Sequence, residues 1–270
     1  MQLPWNGGTG NDVYFVDNAA DFVNDSRGNA DEVVIGVNFT VPNQQFQLYA
    51  GIEIVRVVDT NALVLVTGNE LDNIFTGGNK NDVLSGAAGI DHLVGLGGRD
   101  TLDGGIGADT MVGGSGGDIY YVDDAGDQVI EQTGDSPASA IASGFEGPLH
   151  SSTFEDLFDS VFAAIDYTLT DFVENLTLSG TADSGTGNLE HNTISGNTRA
   201  NTLDGAVGND TITGGDGNDT LIGGTGNDNL NGGVDTDTAR FNGNANQYTV
   251  IATATGYTVT GLDGTDTSPA

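Results

Sequence analysis

Five aspartates, Asp82, Asp91, Asp100, Asp109 and Asp118, follow one another at intervals of nine residues. Four more, Asp210, Asp219, Asp228 and Asp237, keep the same interval further on, with Asn192 and Asn201 in the two places before them. Two residues after each comes an apolar side chain, as in Leu84, Leu93, Leu102 and Met111, or Ile212, Leu221 and Leu230. A carboxylate repeated at fixed spacing beside a fixed apolar residue is a row of oxygen donors on a scaffold. Its chemistry is that of holding cations.

The elements that must position these donors follow from the rest of the nine-residue unit. Glycines recur at its first, second and fourth places, as in Gly214-Gly215-Asp216-Gly217-Asn218-Asp219-Thr220-Leu221-Ile222. Such residues permit positive φ and close backbone approach, so the first half is a turn. The last three residues are an extended segment of about 10 Å, too short to be stable alone. Stacked copies would pair their backbones, column their apolar side chains and align their carboxylates at about 4.8 Å. Carboxylates at that spacing repel unless a cation lies between them. Carboxylate and carbonyl oxygens suit the flexible, six- to eight-fold coordination of Ca²⁺ better than Mg²⁺. Zinc or copper would want His or Cys, and neither stands at the acidic place.

The pattern G-G-x-G-x-D-x-(apolar)-x resembles the RTX, or hemolysin-type, calcium-binding repeats. Eleven in-phase units carry the resemblance, and a lone copy, Gly7 to Phe15, opens the chain with Asp12 at the acidic place. The resemblance implies an all-β fold, a right-handed parallel β-roll with two nine-residue units per coil. It implies Ca²⁺ between turns n and n+2, held by the aspartates just named, Asp12 and Asn201. Carbonyls of Gly77, Asn79, Asn81, Gly86, Ala88, Gly95, Gly97, Gly104, Gly205, Val207, Asn209, Gly214, Asp216 and Asn218 would complete the shells. Asp82 would stack with Asp100 and Asp118, Asp91 with Asp109, Asp210 with Asp228 and Asp219 with Asp237. About six to eight ions follow from the family pattern. Lys80 and Arg199 replace turn glycines, and Asn73, Asn192 and Asn201 replace Asp, so these outer turns should bind more weakly or act as caps. Asp235 replaces the fourth-place glycine of the last unit, which predicts that the run ends there.

Larger repeats set the organisation. Tyr14 to Val23 matches Tyr120 to Val129, and Thr67-Gly68-Asn69 matches Thr186-Gly187-Asn188. The chain therefore divides into a first unit (1–119), a second unit (120–240) and a tail (241–270). The two repeat runs, 68–121 and 187–240, are expected to be joined by wider, metal-poor coils built from Val33-Val34-Ile35, Ile54 to Val58 and Val173 to Leu178. The insertion 134–160 carries a helix-start signal at Ser152 to Phe158. Tyr248 to Ile251 and Tyr257 to Thr260 predict a hairpin that caps the open end, as solenoids require. The lone first copy, with no earlier turn to stack on, suggests a fragment of a longer repeat protein.

Composition narrows the function. Six Lys plus Arg against 39 Asp plus Glu give a formal net charge of -33. Nucleic-acid binding, which needs clustered cations, is excluded on that ground. No apolar run approaches the roughly 18–20 residues of a membrane helix. With no Cys there are neither disulfides nor thiolate metal sites. His92, His191 and His150 have no Ser or Asp context that suggests a nucleophile, so no enzyme activity is expected. A β-helical polysaccharide lyase or epimerase would want cations to hold its acidic substrate. The expected function is a calcium-binding structural module that folds on Ca²⁺, and the resemblance to the RTX family implies a secreted or cell-surface bacterial protein exported by type I secretion. An adhesin or surface-layer module, with extracellular polysaccharide or surface-layer neighbours as partners, is the runner-up.

Overall fold

The computed structural model describes residues 7–16, 23, 25, 30–36, 44–47, 51–58, 64–132, 158–242, 245–253, 256–261 and 263–269. They fall in two compact units, Met1–Phe158 and Asp159–Ala270. Gly, Asn and Asp interrupt every apolar segment, so strands stay short and the chain turns after each one. Nearly all regular structure is β. No helix among the described residues is long and apolar enough to cross a membrane.

The first unit begins with strands from the spacer, β1 (Val13–Val16), β2 (Glu32–Ile35), β3 (Gln44–Gln47), β4 (Ile54–Val57) and β5 (Val64–Thr67). The nine-residue run then supplies β6 (Ile74–Thr76), β7 (Val83–Ser85), β8 (His92–Gly97), β9 (Thr101–Asp103), β10 (Thr110–Ser115) and β11 (Ile119–Val122), followed by β12 (Gln128–Ile130). The chain alternates between two parallel sheets. One has the order β1-β2-β4-β6-β8-β10-β12, the other β3-β5-β7-β9-β11.

The period explains the core. With two nine-residue units per coil, Leu84 pairs Leu102, Leu102 pairs Tyr120, Phe75 pairs Leu93 and Leu93 pairs Met111. The column of the β1-β2-β4-β6-β8-β10-β12 sheet is continuous through the spacer: Tyr14, Val33, Val55, Phe75, Leu93, Met111 and Val129 lie in register, all buried. Each such side chain contributes about 1.5–3 kcal/mol when fully buried. A coil offers only two of them, so the apolar core is thin.

In the second unit β13 (Ser160–Ala163), β15 (Asn175–Leu178), β17 (Thr193–Ser195), β19 (Thr211–Asp216) and β21 (Asn229–Val234) form one parallel sheet. Interleaved with them, β14 (Tyr167–Thr168), β16 (Ser184–Thr186), β18 (Thr202–Asp204), β20 (Thr220–Ile222) and β22 (Thr238–Ala239) form the other. Val161, Leu176, Ile194, Ile212 and Leu230 make one buried column. The spacers do continue the sheets within each unit. Their coils are wider in the first unit, where Tyr14 pairs Val33 and Val33 pairs Val55. In the second unit the spacer coil is narrower than a repeat coil, with Val161 opposite Leu176.

The tail forms the expected hairpin, β23 (Thr249–Thr253) antiparallel to β24 (Gly256–Thr260). It also adds a strand that the pattern did not announce. β25 (Thr265–Pro269) runs antiparallel to β24 and pairs parallel to β21 through Asn229 and Thr267. The run of consecutive units ends at β22, but the stack on β21 gains one more rung from this return strand. The insertion, with its helix-start segment, lies outside the described residues up to residue 157.

Candidate metal centre

Each acidic-place residue sits at the end of a turn, immediately before its strand, and stacking aligns equivalent residues 18 apart. The backbone N–H of Asp82 donates to Asp100 Oδ1 at 2.7 Å, and that of Asp100 to Asp118 Oδ1 at 2.7 Å. Asn73 donates likewise to Asp91 at 2.6 Å and Asp91 to Asp109 at 2.7 Å. In the second unit the ladder runs from Asn192 to Asp210 (2.8 Å) and on to Asp228 (2.9 Å). Beside it, Asn201 donates to Asp219 (2.8 Å) and Asp219 to Asp237 (3.0 Å). Every pair that the resemblance stacked is therefore adjacent.

One oxygen of each of these carboxylates is thus tied to the N–H of the turn before it. The other is not. Oδ2 of Asp91, Asp100, Asp109, Asp210, Asp219 and Asp228 is buried and accepts no hydrogen bond. Asp82 differs, since its Oδ2 accepts the N–H of Gly78 at 2.7 Å. Asp237, at the outer edge, is half-buried. A buried polar atom without a partner costs about 1–3 kcal/mol, more for a charge, so a row of them calls for an occupant.

The first-place glycines supply the space. Where any other residue at position 86 would carry Cβ, the point lies 2.1 Å from Asp91 Oδ2 and 2.6 Å from Gly104 O. Equivalent points at Gly205 and Gly214 lie 2.3 and 2.2 Å from Asp210 and Asp219 Oδ2, and 2.5 and 2.4 Å from Gly223 and Gly232 O. At Gly77 the neighbours are Asp82 Oδ2 and Gly95 O. Each cradle joins an anionic oxygen to a carbonyl of the turn two units on. All donors are hard oxygens, which fits a calcium-like cation.

Burial pushes these carboxyl groups up. Asp100 is raised to about 8, chiefly by desolvation, with Asp118 and Asp82 adding repulsion. Asp210 is raised to about 7 and Asp109 to about 6 by the same cause. Desolvation also raises Asp82, Asp91, Asp219 and Asp228, opposed in each by a backbone N–H. The exposed ion pairs Arg56–Glu32 and Arg199–Asp183 lie at other positions.

The asparagine turns solve the same problem without charge. Asn201 Oδ1 accepts the N–H of Asn197 (2.8 Å), while its amide donates to Ala182 O (3.2 Å). Asn192 accepts from Asn188 (2.8 Å) and donates to Val173 O (3.1 Å). Asn73 accepts from Asn69 (3.1 Å) and donates to Ile52 O (3.2 Å). In each case the oxygen at the glycine cradle accepts a backbone N–H, where most of the aspartate turns leave it bare. Replacing Asn201 by Ala is expected to lower stability by about 1–3 kcal/mol and to leave the number of bound Ca²⁺ unchanged. Denaturant titration and ion counting together check this, and a lost ion would make Asn201 a ligand.

Of the carbonyl positions, Gly86, Gly95, Gly104, Gly205 and Gly214 face an acidic-place side chain through a neighbouring glycine, by Asn73, Asp82, Asp91, Asn192 and Asn201 respectively. Gly113, Gly223 and Gly232, which the sequence reading missed, do the same for Asp100, Asp210 and Asp219. At the third place, Ala88 bridges Ile106 and Val207 bridges Thr225. Asn79, Gly97 and Asp216 are at that place too. The fifth place has a role of its own: Oδ1 of Asn81, Asn209 and Asn218 accepts the N–H of Arg99, Asn227 and Thr236. This ladder points the opposite way to that of the aspartates, which explains the recurring Asn-Asp pair. His191 joins it, its Nδ1 accepting from Asn209.

Two further carboxylates cap the rows. Asp127 Oδ1 accepts from Asp109 N (3.0 Å), and its Oδ2 from Asp123 and Asp124 (3.1 and 3.0 Å). Asp127 is nine residues after Asp118 and could have been found by phase alone. Asp266 accepts from Asp228 N at 3.0 Å across 38 residues, and no spacing foretold it.

The family model for the RTX calcium-binding nonapeptide repeat matches the chain in four copies, over residues 67–89, 85–120, 186–221 and 205–239. No curated protein matches the chain significantly.

Proposed function

Because the chain carries RTX calcium-binding nonapeptide repeats wound as a parallel β-solenoid, we propose that it is a structural module which folds when Ca²⁺ occupies its turns. The observation that carries this reading is the row of buried Oδ2 oxygens facing glycine cradles and carbonyls. Bound Ca²⁺ would supply the positive charge and the oxygen coordination that these turns lack. The proposed side-chain ligands are Asp82, Asp91, Asp100, Asp109, Asp118, Asp210, Asp219, Asp228 and Asp237, with Asp12 in the lone first copy. About six to eight ions is the expected stoichiometry.

The chain's own residues do the rest. Backbone N–H groups hold one oxygen of each carboxylate in place, so the site is preformed once neighbouring turns stack. With two inward side chains per coil, apolar burial is too thin to overcome buried, repelling carboxylates. Without the ion an expanded chain is favoured. An ion bound only by the folded state shifts the balance by mass action. Sites of this type suit extracellular Ca²⁺ of about 10⁻⁴–10⁻³ M, which favours a secreted or cell-surface location and a folding step completed after export. No catalytic role is assigned. His191 serves the turn ladder, and His92 is exposed on β8.

Circular dichroism during a calcium titration, with magnesium as control, tests the reading. A cooperative gain of β signal with Ca²⁺ and little with Mg²⁺ is expected. A chain fully folded in chelator and unmoved by Ca²⁺ would refute it.

A further inference from the structure

We propose that Asp12, Asp25 and Asp31 form a separate divalent-cation site at the start of the first unit, built mainly from spacer residues. Their carboxylate oxygens all lie within 4.8 Å of one another, although the three come from different segments. Asp25 and Asp31 are fully buried, at 0% exposure. Three carboxylates so close and so dry repel one another unless a cation is shared among them.

The decisive atom is Asp31 Oδ2. Asp31 Oδ1 accepts the N–H of Asp12 at 2.8 Å, but Oδ2 is buried and has no hydrogen-bond partner. Asp12 Oδ2 is in the same condition. Gly7 completes the cradle as the first-place glycines do elsewhere, the point where its Cβ would stand lying 2.1 Å from Asp12 Oδ2. The third wall is Asp25, whose Oδ2 accepts the N–H of Gly7 at 2.9 Å and the hydroxyl of Tyr14. Tyr14 therefore orients a carboxylate brought in by the spacer.

Asp31 stacks on Asp12 as the ladder carboxylates stack on one another. Neither it nor Asp25 belongs to a nine-residue unit, Asp25 adds a third wall, and the cluster lies outside all four repeat segments. The same apparatus recurs 106 residues later within the first unit. Gly113, Asp118, Tyr120 and Glu131 repeat Gly7, Asp12, Tyr14 and Asp25, and the Tyr120 hydroxyl donates to Glu131. A tyrosine-held carboxylate is thus a second, reused device. All-oxygen anionic donors select a hard divalent ion of the calcium type. The proposal rests on the calcium-binding reading above only for the identity of the ion.

The test counts bound Ca²⁺ per chain by elemental analysis on the calcium-loaded full chain and two variants. Asp31→Asn removes the charge and leaves one oxygen where the carboxylate offers two, one for the N–H of Asp12 and one for the ion. It is expected to lose one ion, and Asp91→Asn, in the repeat ladder, to lose at least one as well. An unchanged count in Asp31→Asn beside a lowered count in Asp91→Asn overturns the site and leaves the repeat reading standing. A wild-type chain that binds no Ca²⁺ overturns both. Should Asp31→Asn fail to fold, Tb³⁺ emission sensitised through tyrosine decides in Tyr14→Phe. A drop in emission supports the site, and unchanged emission overturns it.

Discussion

In chelator, acidification from about pH 8 to about pH 5 is expected to restore β structure that the calcium-free chain lacks at neutral pH. The reason is the sign of the carboxyl shifts. Folding raises Asp100 from 3.8 to about 8, Asp210 to about 7, and Asp109 and Asp266 to about 6, in each case first by burial. A carboxyl raised on folding binds extra protons in the folded state. Its contribution is full below the unfolded value near 3.8 and is lost as pH rises through the folded values, between about 6 and 8. Protons can thus do part of what Ca²⁺ does. One pKa unit is worth ~1.4 kcal/mol against a total stability of ~5–15 kcal/mol, so a few such groups can switch the fold. With Ca²⁺ present the direction reverses, because the ligands must be ionised to hold it. Circular dichroism in chelator across this range checks the prediction. A calcium-free chain better folded at pH 8 than at pH 5 would remove the buried ladder as the source of calcium dependence.

Salt separates this cause from the overall charge of -33. At about 1 M ionic strength the Debye length is roughly 3 Å, so surface repulsion is screened while buried groups are little affected. If the buried carboxylates dominate, salt in chelator recovers little structure and acid recovers much.

The second large effect belongs to the turn glycines. Gly107→Ala is expected to cost about 3–5 kcal/mol in saturating Ca²⁺, combining left-handed strain and overpacking. Gly107 has φ +145°, and a Cβ there would lie 1.6 Å from Gly89 O, a backbone atom that cannot rotate away. Non-glycine residues do occur at positive φ in this fold. Ala87, Leu96 and Ala206 have φ of 80°, 81° and 70°, and Asp235 has 86°. Those values are near the left-handed helical region that L-residues can visit, whereas 145° is glycine territory. Asp235 therefore keeps a fourth-place turn without glycine by adopting a different angle. Gly36→Ala, whose Cβ would meet nothing nearer than 3.6 Å, is the control and should change stability by less than ~1 kcal/mol. Denaturant midpoints compare the two, and equal losses would contradict the close-approach argument.

Much of this molecule is legible from a single period. A solenoid makes its main contacts at a constant separation, here 18 residues, so the spacing that aligns Leu84 with Leu102 also aligns Asp82 with Asp100. The all-β class, the two parallel columns and the carboxylate rows follow from that regularity and from Gly, Asn and Asp at the turns, while the C-terminal hairpin was legible from its own segments, Tyr248 to Ile251 and Tyr257 to Thr260. Asp127 obeyed the same phase and was overlooked because its unit lacks most of the glycines.

What the period could not reach was decided by the path of the chain. Asp266 meets Asp228 because a hairpin folds back and returns a strand to the stack, a separation of 38 residues with no motif behind it. Asp31 meets Asp12 because β2 stacks on β1 at a separation of 19 residues, and Asp25 joins them from the spacer between, at offsets the nine-residue period does not contain. The asparagine turns are likewise a matter of tertiary structure, since each amide donates to the carbonyl of the preceding turn. Periodic contacts are written into the sequence because every turn repeats them. Contacts made once, across spacers and returns of irregular length, depend on how the whole chain closes.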